Sequence, residues 1–138
     1  MAGILEGQNF TIELGERFAV ESDEVGYQCL CQEPPAILTL LPETVENKDE
    51  LPNLSRMLAG FLTRSGHPVA TDELLRMTNV PGAHGFSWQY VENENYHRLW
   101  LFGNEASWLL MTFICPLEHR DAFHEFQQTM VKSLRLKI

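Results

Sequence analysis

Cys29 and Cys31 stand one residue apart, the closest pair of soft metal ligands in the chain. Zinc sites space their thiolates by two to four residues and complete the set with two further ligands. Only Cys115 remains, far along the chain and with no histidine at a matching spacing. On a strand, Cys29 and Cys31 read as small core hydrophobes, and no metal is expected. The five histidines are His67, His84, His97, His119 and His124. None falls in an H-E-x-x-H pattern, and His119 and His124, five apart, do not share a helix face. A nucleophile–base pair of Cys115 with His97 is chemically conceivable, yet nothing near Cys115 resembles the cationic setting that activates a thiol. Glu43, Glu46, Asp49 and Glu50 crowd one loop, but they miss the calcium-loop spacing and its turn glycine. The stretch PGAHG at 81–85, read as a flexible loop around His84, lacks the Lys-Ser/Thr pair and the helix of a phosphate loop. No catalytic residues and no cofactor are therefore expected.

Residues 84–116, HGFSWQYVENENYHRLWLFGNEASWLLMTFICP, hold all three tryptophans of the chain. Phe86, Trp88 and Tyr90 alternate and share one strand face, as do Trp100 and Phe102 on the next strand. Such rings are first of all cross-strand core pairs. The candidate binding surface is Trp88, Tyr90, His97 and Trp100, because bulky rings leave gaps that a helix does not fill.

The elements that would position these residues follow from periodicity. NFTIELGERFAVES reads as two short strands around a Gly15 turn. Tyr27, Cys29 and Cys31 share a strand face, Pro34-Pro35 interrupts the strand, and AILTLL resumes as one dense enough to be covered on both faces. After the acidic loop, a helix opens near Asp49 or Glu50 with Pro52 in its first turn. Leu54, Met57, Leu58, Phe61 and Leu62 form its apolar stripe, and Gly66 stops it. DELLRMTNVP leans to strand. Three strands joined by ENEN and GNEA make an antiparallel meander. The last of these is apolar on both faces, which makes it central. Beyond Pro116 the period becomes helical, with Ala122, Phe123, Phe126, Met130, Val131 and Leu134 on one side. The fold class is α+β: one antiparallel sheet of about six to seven strands with helices packed on its faces.

The totals fit one domain spanning residues 1–138. The formal charge is −9, from 10 basic and 19 acidic residues, so the basic footprint of a nucleic-acid binder is missing. The first residues, MAGILEGQNF, lack a secretory pattern and no apolar run is long enough to span a membrane. With three cysteines, too few and odd in number for a disulfide framework, a cytoplasmic setting is expected.

The order of elements carries a resemblance. A Phe10-x-Ile12-x-Leu14 strand precedes a strand ending Leu41-Pro42-Glu43. GFSWQY, HRLWL and WLLMTFICP follow, the last with Thr112 four residues before Pro116, and the final helix ends in Ser133-Leu134-Arg135. This resembles the PsbP-like fold, shared by the photosystem II protein PsbP, Ran-binding Mog proteins and bacterial DcrB-type proteins. GERFAV at 15–20 stands where that group usually has P-x-G-W. The resemblance implies a non-enzymatic module that docks on a protein partner. Some bacterial members are cytoplasmic chaperones that shelter apolar helices of secreted effectors, often as homodimers. The expected function is thus an adaptor or chaperone-like protein. Two alternatives stand beside it. One is an immunity protein whose −9 charge complements a basic toxin. The other is a small-ligand or enzyme domain with a cleft near Trp88, Trp100 and His97.

Overall fold

The computed structural model describes residues 3–45 and 53–137. Ten strands and two helices follow in the order β1 (Ile4–Glu6), β2 (Phe10–Glu13), β3 (Ala19–Ser22), β4 (Tyr27–Gln32), β5 (Pro35–Thr44), α1 (Leu54–Arg64), β6 (Leu75–Met77), β7 (His84–Glu92), β8 (Asn95–Gly103), β9 (Ser107–Pro116), α2 (His124–Ser133) and β10 (Arg135–Leu136). Seven strands form one antiparallel sheet in the order β3-β4-β5-β9-β8-β7-β6, and β1-β2-β10 form a second, smaller sheet. The α+β architecture with an antiparallel sheet and helices against it is as the periodicities require.

Strand β9 lies at the centre of the large sheet. Its Leu109, Met111, Phe113 and Cys115 are buried on one face in the larger core, with Trp100 and Phe102 of β8 and Leu38 and Leu40 of β5. Phe123, Met130, Val131 and Leu134 of the α2 region close that core, together with Phe10 and Ile12 of β2. The opposite face is covered by α1. Leu58 and Leu62 are fully buried against Leu99, Leu101 and Leu110, and Leu54, Met57 and Phe61 pack around them. Both apolar helix stripes thus bury against sheet, as amphipathic helices must.

Local chemistry sets the boundaries. The β7–β8 hairpin turns on two residues, Asn93 and Glu94, at φ 53° and 63°. Positive φ at both positions is the type I′ turn, whose twist matches that of its strands. Between β8 and β9, Asn104 Oδ1 accepts from the backbone N–H of Ala106 and Ser107, a side-chain-built turn. Gly66 has φ +86° behind α1, as expected of a helix stop.

Several expectations are corrected. The strands on either side of Gly15 do not pair with each other, because β2 belongs to the small sheet and β3 to the large one. Helix α1 is capped by Asn53, whose Oδ1 accepts from the Arg56 N–H at 3.1 Å. Glu46, Asp49, Glu50 and Pro52 lie outside the described residues. The strand is interrupted before Pro34, as expected, but the interruption is a tight turn from β4 into β5, and Pro35 is already the first residue of β5. The α1-side face of β5 is only partly covered, with Ile37 39% exposed. DELLRMTNVP is mostly not strand: a 3₁₀ turn at Thr71–Glu73 precedes the three residues of β6. His84 opens β7 instead of lying in a loop. The last helical segment starts as a 3₁₀ turn over Leu117–Phe123, where Ala122 is exposed.

Candidate functional site

Pairing register decides which of the four candidate residues meet. Tyr90 lies opposite His97, Trp88 opposite Leu99, and Ser87 opposite Trp100. Partners across a ladder share a face, so Trp88, Tyr90 and His97 face α1 while Trp100 faces α2. Trp100 is 1% exposed in the larger core. The expectation of one surface, or one cleft, holding Trp88, His97 and Trp100 is therefore corrected: the sheet stands between them.

On the α1 face, Tyr90 is the middle of a three-ring stack. Its ring lies 3.8 Å from His67 and 4.6 Å from His97, centroid to centroid, at interplanar angles of 24° and 9°. His67 follows α1, and its Nε2 sits 2.8 Å from Glu92 Oε2 at the hairpin end. Burial lowers the pKa of His97 from its ordinary value; Glu92 opposes this and His67 adds to it. Burial, and then the charge of Glu92, raise the Tyr90 phenol. The stack thus ties the end of α1 to the meander. Cys115 is on the other face, opposite Tyr96. Burial pushes its thiol up to about 11, so it is not poised as a nucleophile beside His97. Cys29 is likewise buried and pushed up to about 11. Among the described residues, no three His, Cys, Asp or Glu side chains converge as a metal set.

Beyond the stack, the α1 face opens. Leu30, Ile37 and Ile114 stand side by side across β4, β5 and β9, followed by Thr39 and Thr112. These side chains are exposed or half-buried. Glu21 and Glu43 share this face by register, and none of these strand positions is a Lys or Arg.

On the α2 face, a hollow of about 430 Å³ lies between the meander and the start of α2, lined by Gln89, Tyr96, Arg98, Arg120, Asp121, His124 and Gln127. Arg98 is held by two neighbours. Its Nε donates to Ser87 Oγ at 2.8 Å, and that hydroxyl donates to the Leu99 carbonyl at 2.8 Å. The guanidinium carbon sits 5.2 Å from the Trp100 ring centre. Arg120 reaches over the Tyr96 ring at 5.8 Å. Tyr96 in turn donates to Gln89 Oε1 at 2.8 Å. A second hollow of about 220 Å³ adjoins the first and shares Arg98, His124 and Gln127.

Of these groove residues only His124 was weighed from sequence, as one of the five histidines. Arg98 sits inside HRLW among the louder aromatics. Gln127 carried a usable signal: it falls four after Phe123 and three before Met130, on the buried stripe of the helix. A polar residue at an inward position is the informative kind of exception.

The fold defines a class: a seven-stranded antiparallel sheet with one helix on each face and a small accessory sheet joining the two chain ends. Solved bacterial structures share it. A protein from Bacteroides thetaiotaomicron VPI-5482 superposes with a TM-score of 0.63 at 11% identity, over 100% of this chain and 50% of that one. This chain therefore spans half the length of that protein. LpqN of Mycobacterium tuberculosis, described as involved in cell envelope biogenesis, superposes with a TM-score of 0.61 at 7% identity, over 94% of this chain and 83% of that one. At such identities the likeness concerns the fold alone. The sequence matches no protein-family model and no curated protein. No helix among the described residues is long and apolar enough to cross a membrane.

Proposed function

We propose that this protein is a non-enzymatic binding module of the PsbP-like kind, an adaptor or chaperone working in the cytoplasm, that receives an apolar helix of a partner protein on the open half of its sheet. The observation that carries this reading is the row Leu30, Ile37 and Ile114, interior strand positions left without a covering element among the described residues. Contiguous apolar side chains of this kind are a common mark of protein contact surfaces. Glu21 and Glu43 on the same face, with no cation among them, favour a helix flanked by Lys or Arg. An overall charge of −9 would speed its approach.

A photo-crosslinking residue placed at position 37 or 114 in the native host tests this. One dominant adduct from both positions, absent when the crosslinker replaces the exposed Gln128 on α2, is the expected result. The adduct's identity separates an effector client from a toxin. Adducts only between two copies of this chain would make the face a homodimer contact and overturn the proposal. So would equal yields from position 128.

A further inference from the structure

We propose that the groove between α2 and the β7–β8 meander binds an oxyanion, the carboxylate or phosphate of a small molecule. Its lining brings two guanidinium groups, Arg98 and Arg120, together with one carboxylate, Asp121. Arg98 spends only its Nε on the protein, at Ser87. Among the described residues its two Nη groups make no hydrogen bond, and no carboxylate lies within ion-pair distance. The stack on Trp100 and the bond to Ser87 hold the guanidinium in place, so its free edge is pre-organised for the two-pronged contact that guanidinium makes with oxyanions.

Gln127 supplies an independent observation. The residue is 8% exposed, and its Nε2 is buried with no acceptor. A buried N–H without a partner is costly, and the residue that carries it lines both hollows. Arg120 brings a second guanidinium to the same hollow; its nearest carboxylate, Asp121, is 3.9 Å away with a fully exposed side chain. Two guanidinium groups against the single lining carboxylate of Asp121 favour a ligand that accepts. They do so on a protein whose overall charge is −9, so the local sign is opposite to that of the chain. A hollow of about 430 Å³ is within the range of small-molecule sites. It lies across the sheet from the row at Ile37 and stands or falls separately from that surface.

The test uses the whole chain, titrated with inorganic phosphate and, separately, with acetate, at constant ionic strength, with chloride as the control. The readouts are the NMR signals of Arg98 Nε–H, the Trp100 indole and the Gln127 amide. Saturable shifts in at least one arm are expected, in the millimolar range open to so small an ion. The stronger arm identifies the source of the oxyanion. Arg98→Met keeps an apolar stem over Trp100 and should weaken binding by roughly tenfold or more, since charge-assisted bonds are the strong ones. Arg120→Met serves where Arg98→Met does not fold, because the Arg120 side chain is 53% exposed; it should weaken binding several-fold. Arg17→Met, which removes a cation lying over Phe123, should leave it unchanged. Shifts that grow linearly without saturating, or that survive both groove variants, would overturn the assignment.

Discussion

Replacing Gln127 by Met removes the amide and keeps a straight side chain of similar length in the same inward slot of α2. Gln127 is 8% exposed, and its Nε2 has no acceptor. Leaving a buried donor unsatisfied costs about 1–3 kcal/mol. Met and Gln have nearly equal helix propensities, and the thioether tolerates an irregular gap. The ligand-free protein should therefore gain about 1–2 kcal/mol, which corresponds to a rise in Tm of roughly 2–8 °C for a domain of this size. Urea unfolding followed by circular dichroism measures this as a higher midpoint at an unchanged slope. A loss of about 1 kcal/mol or more would refute the reasoning, since it would mean that Nε2 already has a partner, such as a buried water. The variant is expected to trade function for stability, because Gln127 is one of the residues that line the groove.

Phe123 is fully buried and packs edge-on to Phe113 at 5.2 Å, whereas Phe126 is only half-buried and stacks on Phe18 at 4.6 Å. Phe123→Ala should cost about 3–5 kcal/mol and Phe126→Ala distinctly less; chemical denaturation of both variants checks the order, and equal losses would contradict it. Glu94 holds φ 63° in the two-residue hairpin turn, a conformation glycine adopts freely, so Glu94→Gly should stabilise by about 0.5–1 kcal/mol in the same assay. His97 has a folded pKa below its ordinary 6.5, chiefly through burial. The unfolded chain therefore takes up that proton first as pH falls. Its contribution to stability is full above about 6.5 and declines as the pH drops from there to the lower folded value. Stability curves between pH 7 and pH 5 should lose part of their slope in His97→Asn, and an unchanged slope would contradict the assignment.

The meander, the central place of β9 and the two helix stripes were legible because each is a period of two or of 3.6 written over many residues. The two faces of the meander were not assigned to each other. Alternation sorts residues within a strand, but only the pairing of Ser87 with Trp100 puts Trp100 across the sheet from Trp88, and register comes from hairpin geometry. The small sheet was missed because β1 and β10 are three and two residues long, too short to show any period. The partner of β10 is also more than a hundred residues away in the chain, as in the pairing of Leu136 with Phe10. The groove was missed for a related reason. Arg98 and Gln127 belong to different elements, and each is surrounded in sequence by larger apolar residues that dominate the pattern.

The strand order also has a kinetic meaning. Strands β3, β4 and β5 are consecutive and can pair as soon as they are made, but the other edge of β5 pairs with β9, which is complete only at Pro116. That lies roughly 70 residues after the end of β5, or about 4–14 s of synthesis at 5–20 residues per second. Throughout that interval the Ile37–Leu41 edge has unpaired backbone groups and no neighbour. An apolar strand edge of this length is a template for association with other chains. Long-range pairing of this kind also slows folding once the chain is finished. Strand β5, the partner that central β9 must find, is therefore the segment most exposed to aggregation while the protein is being made.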